Sequence, residues 1–552
     1  MLGRDLGLYR ARRVVSSDAD SLSPAPAAGP RAPAGGVVRA AAVVGSATLV
    51  SRVLGFLRDL VVAQVFGAGP ATDAFFVAFR LPNLLRRLVG EGALSSAFIP
   101  VFTEYLTTRP RVDLLRMFRA VTGGLLVVLA ALTLLGMVGA PLLVRVMAPG
   151  FFADSLAGPL TVRLTRWMFP YLFLVGLASL AMGMLNAHRH FLVPALAPTM
   201  LNLAIIGSVL GLAPHLEERV FALAVGVLVG GLGQLLIQLP ALARRGLLVA
   251  PTLEPRHPAV RRIVRLMAPV AVGQSATQLN ILIDTVIASF LVGGSVSYLY
   301  YADRLVEFPL GVFGIAIATA VLPTLSEQAA ARDPVALRAT LSFAMRLATF
   351  VTLPAAVGLF VLREPLVRVL YQRGAFGPAE TVQTAWALGF YAVGLAGFAT
   401  VKIGAQAFYA LGDTRTPVKL AIGAMALNSG LAVALSFPLQ HGGLALATSC
   451  SAAANSLALA WLLRRRLGPG AVAGARRGWV RIAVASAALA LALEAAGAAW
   501  PPPAPRPAEV VWLGVMIGGG VLVYALAHLA LGSEELTGAV GALRRRLPAR
   551  RA

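Results

Sequence analysis

The chain has 552 residues, of which 58% are hydrophobic and only 13% charged, and its mean hydropathy is +0.78. A soluble chain carries about 25% charged residues, and apolar runs long enough to cross a ~30 Å hydrocarbon layer recur here almost to the end. The composition therefore excludes a soluble multidomain protein, and a β-barrel is disfavoured because its strands would alternate apolar and polar residues in segments of about ten.

Forty-eight Lys and Arg against 24 Asp and Glu leave a net charge of +24. In a membrane protein such cations read as topology signals and contacts for anionic headgroups, not as a nucleic-acid surface. The single cysteine, Cys450, excludes an internal disulfide and makes redox or thiolate-metal chemistry improbable.

In chain order, residues 1–36 are rich in Pro, Ala, Gly and Ser and lack the apolar core of a signal peptide, which predicts a disordered cytoplasmic tail. Fourteen apolar segments follow, starting near residues 38, 73, 115, 160, 194, 219, 260, 296, 336, 380, 416, 441, 479 and 508. Their connectors alternate in charge. One set holds TTRPRVDLLR, NAHRHF, ARRGLLVAPTLEPRHPAVRR, GDTRTPVK and the terminal RRRLPARRA; the other holds GAGPAT, APHLEE, GGSVS and SFPLQHGG. REPLVRVLYQRGAFGPAE is an exception, with three arginines on the poor side. The positive-inside rule places both termini in the cytoplasm.

The first half recurs in the second after roughly 223 residues: FIPVFTE (98–104) matches VLPTLSE (321–327), and PLLVRVMAPGF (141–151) matches PLVRVLYQRGAF (365–376). AFFVAFRLP (74–82) likewise resembles YLYYADRLV (298–306), setting Arg80 opposite Arg304. Six spans per repeat, an even number, give two lobes related by an axis along the membrane normal, the arrangement of many transporters. The fold class predicted is thus all-α and polytopic, with about 14 transmembrane helices in two pseudo-symmetric six-helix lobes plus two extra C-terminal helices. The expected units are a tail (1–36), an N-terminal lobe (37–246), a C-terminal lobe (247–466), two added helices (467–535) and a basic tail (536–552).

Ionisable residues at membrane depth cost on the order of 2.5–3.5 kcal/mol each on insertion scales, so those inside the spans need a use. SRVLGFLRD carries Arg52, Arg58 and Asp59, with Arg52 and Asp59 on one helix face. Asp73, Arg80, Arg87 and Glu91 share a stripe at 100° per residue, but Pro82 shifts the phase beyond it, leaving Arg86 and Arg87 as alternatives for the inward face. Asp303, Arg304 and Glu307 cluster in the second half, with Arg304 and Glu307 at i,i+3. Several arginines with fewer carboxylates predict a cationic cavity for an anionic cargo, since the planar guanidinium fork suits phosphate or carboxylate. Structural ion pairing between the lobes is the alternative. Asp284 stands alone in the seventh span; it reads either as a hydrogen-bonded acid lining the cavity or as a sodium or proton site, with Asp413 and Ser429 as oxygen partners and Lys402 as a cation that could pair with an acid. No Walker sequence or nucleophile elbow occurs, so ATP-driven pumping and hydrolysis have no support and a transporter is favoured over an enzyme.

SRVLGFLRD, FGAGPATDAFFVAFRLPNLLRRLVGEGALSSAFIP, YYADRLVEFP and GDTRTPVK together resemble the MurJ (MviN) lipid II flippase family of the multidrug/oligosaccharidyl-lipid/polysaccharide exporter superfamily, over about residues 38–535. The resemblance implies transfer of the lipid-linked peptidoglycan precursor across the bacterial cytoplasmic membrane by alternating access, and a lipid-tail groove formed by the two added helices. It implies lipid II as cargo, contact with membrane lipids and with the cell-wall machinery, a monomer, no nucleic acid and no cofactor beyond sodium, proton or membrane-potential coupling. It carries the family's cavity arginines onto Arg52, Arg58, Arg86 and Arg304 and its cavity acid onto Asp73, which would pair the arginines in the empty site. Some members resemble this chain at Asp284 and bind sodium there; Tyr409, where those members would supply an oxygen ligand, departs from that pattern. The other readings are an exporter of a different polyprenyl-linked saccharide or drug, and a non-transporting scaffold.

Overall fold

A computed structural model describes residues 34–86, 95–153, 156–468, 476–504 and 506–533. No strand occurs among them. The helices are α1 (Ala34–Phe66), α2 (Pro70–Arg86), α3 (Ser95–Thr108), α4 (Arg111–Val138), α5 (Ala140–Met147), α6 (Ala157–Met168), α7 (Pro170–Ala187), α8 (Leu192–Gly211), α9 (Phe221–Leu236) and α10 (Leu239–Ala243). The second half continues with α11 (Pro258–Ser289), α12 (Ser295–Pro309), α13 (Ile315–Ala330), α14 (Pro334–Val361), α15 (Arg363–Tyr371), α16 (Pro378–Ala410), α17 (Arg415–Leu439) and α18 (His441–Leu467); α19 (Arg476–Ala499) and α20 (Arg506–Ala530) follow. Proline at the first helical turn opens many of them, where its missing N–H costs nothing.

The repeat is written into the helix boundaries. Phe66 and Ser289 end α1 and α11, Arg86 and Pro309 end α2 and α12, Val138 and Val361 end α4 and α14, and Ala187 and Ala410 end α7 and α16. Each pair is 223 residues apart. Directly after α12 the chain loosens into a π-turn over Leu310–Gly314 before α13 resumes the same path.

Eleven helical stretches among the described residues are long and apolar enough to cross a membrane. The remaining three of the fourteen expected segments start on α1, α2 and α11.

The packing explains where a cavity can exist. The largest core joins both halves at the cation-poor end, with Val62 of α1, Phe76 of α2, Tyr301 of α12, Tyr371 of α15, Phe376 of the loop after it and Leu388 of α16 in one cluster. Toward the opposite end the cores separate. One holds Phe98, Phe102, Met117 and Leu185 of the first half; another holds Leu325, Leu341, Ile403 and Phe408 of the second. Leu247, Ala259 and Ile263, assigned to the second lobe by the sequence, pack in the first-half core, and α11 goes on to meet α17 of the second half as well.

Backbone contacts reinforce the joined end. Gly67 (φ 68°) and Gly374 (φ 55°) adopt left-handed backbone that favours glycine, and the N–H of Ala375 donates to the Gln64 carbonyl at 2.8 Å. The repeat supplies the counterpart: the N–H of Gly150 donates to Ser289 Oγ at 3.1 Å. A Cβ at Gly150 or at Gly374 would overlap the carbonyl of Ser289 or of Gln64 respectively.

The last two helices pack on α14 and α15 of the second half. Arg368 of α15 reaches Glu509 of α20 at 3.4 Å, and Tyr524 Oη donates to the Phe350 carbonyl at 2.8 Å.

Candidate functional site

Helices α1 and α12 enter the middle of the molecule from opposite halves and bring their charges together. Arg58 Nη2 lies 2.7 Å from Asp59 Oδ1, and Arg304 Nε lies 3.2 Å from Asp59 Oδ2. Tyr300, one helical turn before Arg304, is the hub. Its hydroxyl accepts from Arg58 Nη2 at 3.0 Å and from Arg304 Nη2 at 2.9 Å, and donates to Asp59 Oδ1 at 3.1 Å. Its ring stacks on Phe76 with centroids 3.9 Å apart and lies under the Arg304 guanidinium at 4.9 Å. Arg58 also donates to Asn202 Oδ1 at 3.1 Å, and Arg304 pairs with Glu307 at 2.7 Å. Asp59 is buried, a position tolerated because both cations and a hydroxyl satisfy it.

This cluster forms one wall of a cavity of about 1200 Å³, which also receives Arg52 and Lys402. Arg52 lies flush against the π-turn: a Cβ at Gly311 would be 2.6 Å from its Nη1. The cavity continues along an apolar face made by Pro354, Leu362, Leu489, Leu493 and Met516, between α1 and the α14–α19–α20 side. A charged chamber therefore opens into a greasy groove, a shape suited to an anionic head on an apolar tail.

Of the arginines named from the sequence, Arg52, Arg58 and Arg304 meet on this cavity. Arg86 does not line it; it closes α2 and donates to Asn83 Oδ1 at 3.0 Å. Arg87 and Glu91 lie outside the described residues. Asp73 differs from its expected role. Instead of facing the arginines, it accepts from the N–H groups of Gly294 (2.7 Å) and Ser297 (2.8 Å) and from Ser297 Oγ (2.5 Å). It satisfies the open N-terminus of α12 from across the lobe divide, where the helix dipole favours an acid; the acid that pairs the arginines is Asp59.

Arg80 crosses the divide elsewhere, donating to Thr285 of α11, with the carboxylates of Asp284, Asp73 and Asp303 around it. Asp303 itself is exposed. Asp284 accepts from Asn428 Nδ2 at 2.9 Å and Asn280 Nδ2 at 3.3 Å. The proposed oxygen partners are not there. Asp413 precedes α17 and is thirteen helical residues from Asn428, ~20 Å along the axis. It caps α17 by accepting from Thr416 and pairs with Arg466 at 2.5 Å, and these bonds, the Thr416 hydroxyl first, hold its carboxyl down at about 2. Ser429 turns its hydroxyl to the Met425 carbonyl at 3.0 Å.

Tyr300, Asn202, Asn428 and the cavity placement of Lys402 were not foreseen. Tyr300 was within reach, since its i,i+4 spacing to Arg304 puts both on one face; the asparagines carry no local signal.

The comparisons accord with this architecture. A profile described as "Lipid II flippase MurJ" matches residues 62–502. The chain is 40% identical over 451 residues to the lipid II flippase MurJ of Burkholderia cenocepacia, covering 81% of this chain and 86% of that one. It is 41% identical over 433 residues to the probable lipid II flippase MurJ of Haemophilus influenzae, covering 76% and 84%. Among solved structures, one titled "Lipid II flippase MurJ, inward closed conformation" superposes with a TM-score of 0.74 at 25% identity, over 88% of this chain and 97% of that one. An inward-facing multidrug resistance MATE transporter of the MOP superfamily gives 0.60 at 16% identity, over 77% and 98%, a likeness of fold alone. With the profile spanning most of the sequence and the helical repeat matching, the chain belongs to the lipid II flippase MurJ family.

Proposed function

We propose that this protein is a lipid II flippase, moving the lipid-linked peptidoglycan precursor from the inner to the outer leaflet of the cytoplasmic membrane by alternating access. One observation carries the reading: a cavity whose arginines come from both halves runs without interruption into an apolar groove. A polyprenyl diphosphate sugar has that polarity. Left unaided, its diphosphate would bear a Born cost of tens of kcal/mol in crossing hydrocarbon. The cavity keeps the head paired and wet while the tail stays against α19 and α20.

The joined end, built from the cation-poor connectors, faces outward in this reading, and both termini face the cytoplasm. Two six-helix lobes would rock about the central site, with the fourteen expected spans completed by α1, α2–α3 and α11. In the empty protein Asp59 neutralises Arg58 and Arg304; the incoming diphosphate displaces it, weakening the tie between α1 and α12 and favouring reopening at the other end. Arg86 would join the site only after α2 moves. A sodium ion suits the oxygen donors at Asp284, Asn280 and Asn428, the last having a buried Oδ1 without a partner among the described residues; bound there, it would supply a positive charge next to Arg80. An inside-negative potential favours outward movement of an anion by ~2.3 kcal/mol per charge per 100 mV. The protein would act as a monomer that hands its cargo to the cell-wall machinery.

The test is translocation of lipid II by the purified chain in sealed vesicles, with a sodium gradient and a potential imposed separately. Wild type should move lipid II to the outer leaflet and Arg58→Ala should lose the activity by at least tenfold, since one charge-assisted contact is worth about 1.5–3 kcal/mol. Transport of a different lipid-linked saccharide, with lipid II left in place, would favour the wider exporter reading.

A further inference from the structure

Four cations line the cavity, and they are not equivalent. Arg58 and Arg304 are held by Asp59, Tyr300 and Glu307. Arg52 and Lys402 have no hydrogen-bond or ion-pair partner among the described residues. They come from opposite halves, Arg52 from α1 and Lys402 from α16. The unpaired positive charge of the cavity is therefore theirs.

Their heights differ as well. From the joined end, Arg58 and Arg304 sit eight and nine residues into α1 and α12, ~12–14 Å deep. Arg52 is fourteen residues in, ~21 Å, and Lys402 is twenty-four residues into α16, ~36 Å. The four cations thus form a staircase from the wide end to the closed end, with the unpartnered pair at the wide end.

We infer that Lys402 binds an anionic group of the cargo's head and acts with Arg52 to receive it, before Arg58 and Arg304 exchange Asp59 for it. This rests on the lipid II reading and deepens it. The ammonium, a point charge on a flexible stem, suits a group met while the head is still turning; the fixed guanidinium forks below suit a group that has docked. Two anions of the head offer this chemistry: the diphosphate, and the carboxylates of its peptide.

The experiment measures binding of two probes, lipid II and undecaprenyl diphosphate, to the full chain in detergent at low and at high salt. The variants are Lys402→Gln, Lys402→Arg, Lys402→Glu and Arg52→Ala, each first checked for monodispersity and thermal midpoint. Lys402→Gln should weaken lipid II binding by about tenfold at low salt, Lys402→Arg should restore most of it, and Lys402→Glu, which puts a negative charge where the cargo's anion arrives, should weaken it further. Equal losses for both probes place the ammonium on the diphosphate; a loss for lipid II alone places it on the peptide. Wild-type binding of both probes by Lys402→Gln and Lys402→Glu, with binding lost in Arg52→Ala, overturns the assignment of Lys402 and leaves the flippase reading intact. Failure of the wild type to bind either probe tells against the flippase reading itself.

Discussion

At the scale of single residues, the site is governed by which charges are satisfied and which are not. Asp59 is buried between two guanidinium groups and a tyrosine hydroxyl. Its replacement by Asn leaves two cations facing each other across Tyr300. Breaking such a pair from one side costs on the order of 3 kcal/mol. The Asp59→Asn protein should therefore melt at lower temperature when empty, and undecaprenyl diphosphate should raise its midpoint more than it raises that of wild type. An unchanged midpoint together with an unchanged ligand shift would mean that Asp59 is not the counter-ion of the empty state. Sequence reasoning identified three of the four cavity cations because charges are conspicuous in apolar runs. The family resemblance pointed to Asp73 as the pairing acid, while the charges alone left Asp59 open, because spacing does not show what a carboxylate meets in the fold. Only the fold shows that one meets the N-terminus of α12 and the other meets two arginines.

At the scale of elements, the two halves close by pairing equivalent pieces. The loop after α5 meets the end of α11 at Gly150 and Ser289, and the loop after α15 meets the end of α1 at Gly374 and Gln64. Both contacts are backbone against glycine, so an added side chain cannot be absorbed by a rotamer change. Gly150→Val should hold this end apart. With Cys450→Ser as background, a cysteine placed at the buried Val296 should then react several-fold faster with a membrane-impermeant thiol reagent than it does without the Gly150 substitution. An unaltered reaction rate would show that the contact does not govern closure. The existence of these elements was legible: all fourteen segment starts read from the sequence fall within about five residues of a helix start, because an apolar run bounded by Pro, Gly and charge is a strong signal. The attachment of α11 to both halves was not legible, because which neighbour a helical face meets is a tertiary fact.

At the scale of the whole molecule, α19 and α20 stand outside the repeat and, among the described residues, pack chiefly on α14 and α15 of the second half. The Arg368–Glu509 contact ties α20 to α15, with Glu509 buried. Glu509→Ala should leave Arg368 its pairing with Glu364 but loosen that corner of the groove. The expected outcome is a severalfold loss of lipid II transport with little change in binding of a short-tailed water-soluble diphosphate analogue, because in the proposed function the lesion would lie on the tail's path. Equal losses for both would place the effect in the charged chamber.

The lopsided attachment of those two helices has a geometric consequence. A two-fold frame would offer two equivalent doorways to the bilayer, one on each flank. On the proposed function, a groove on one flank only would remove that degeneracy: a single tail would be admitted per cycle, from one side, with its head presented to the cation staircase in the same orientation.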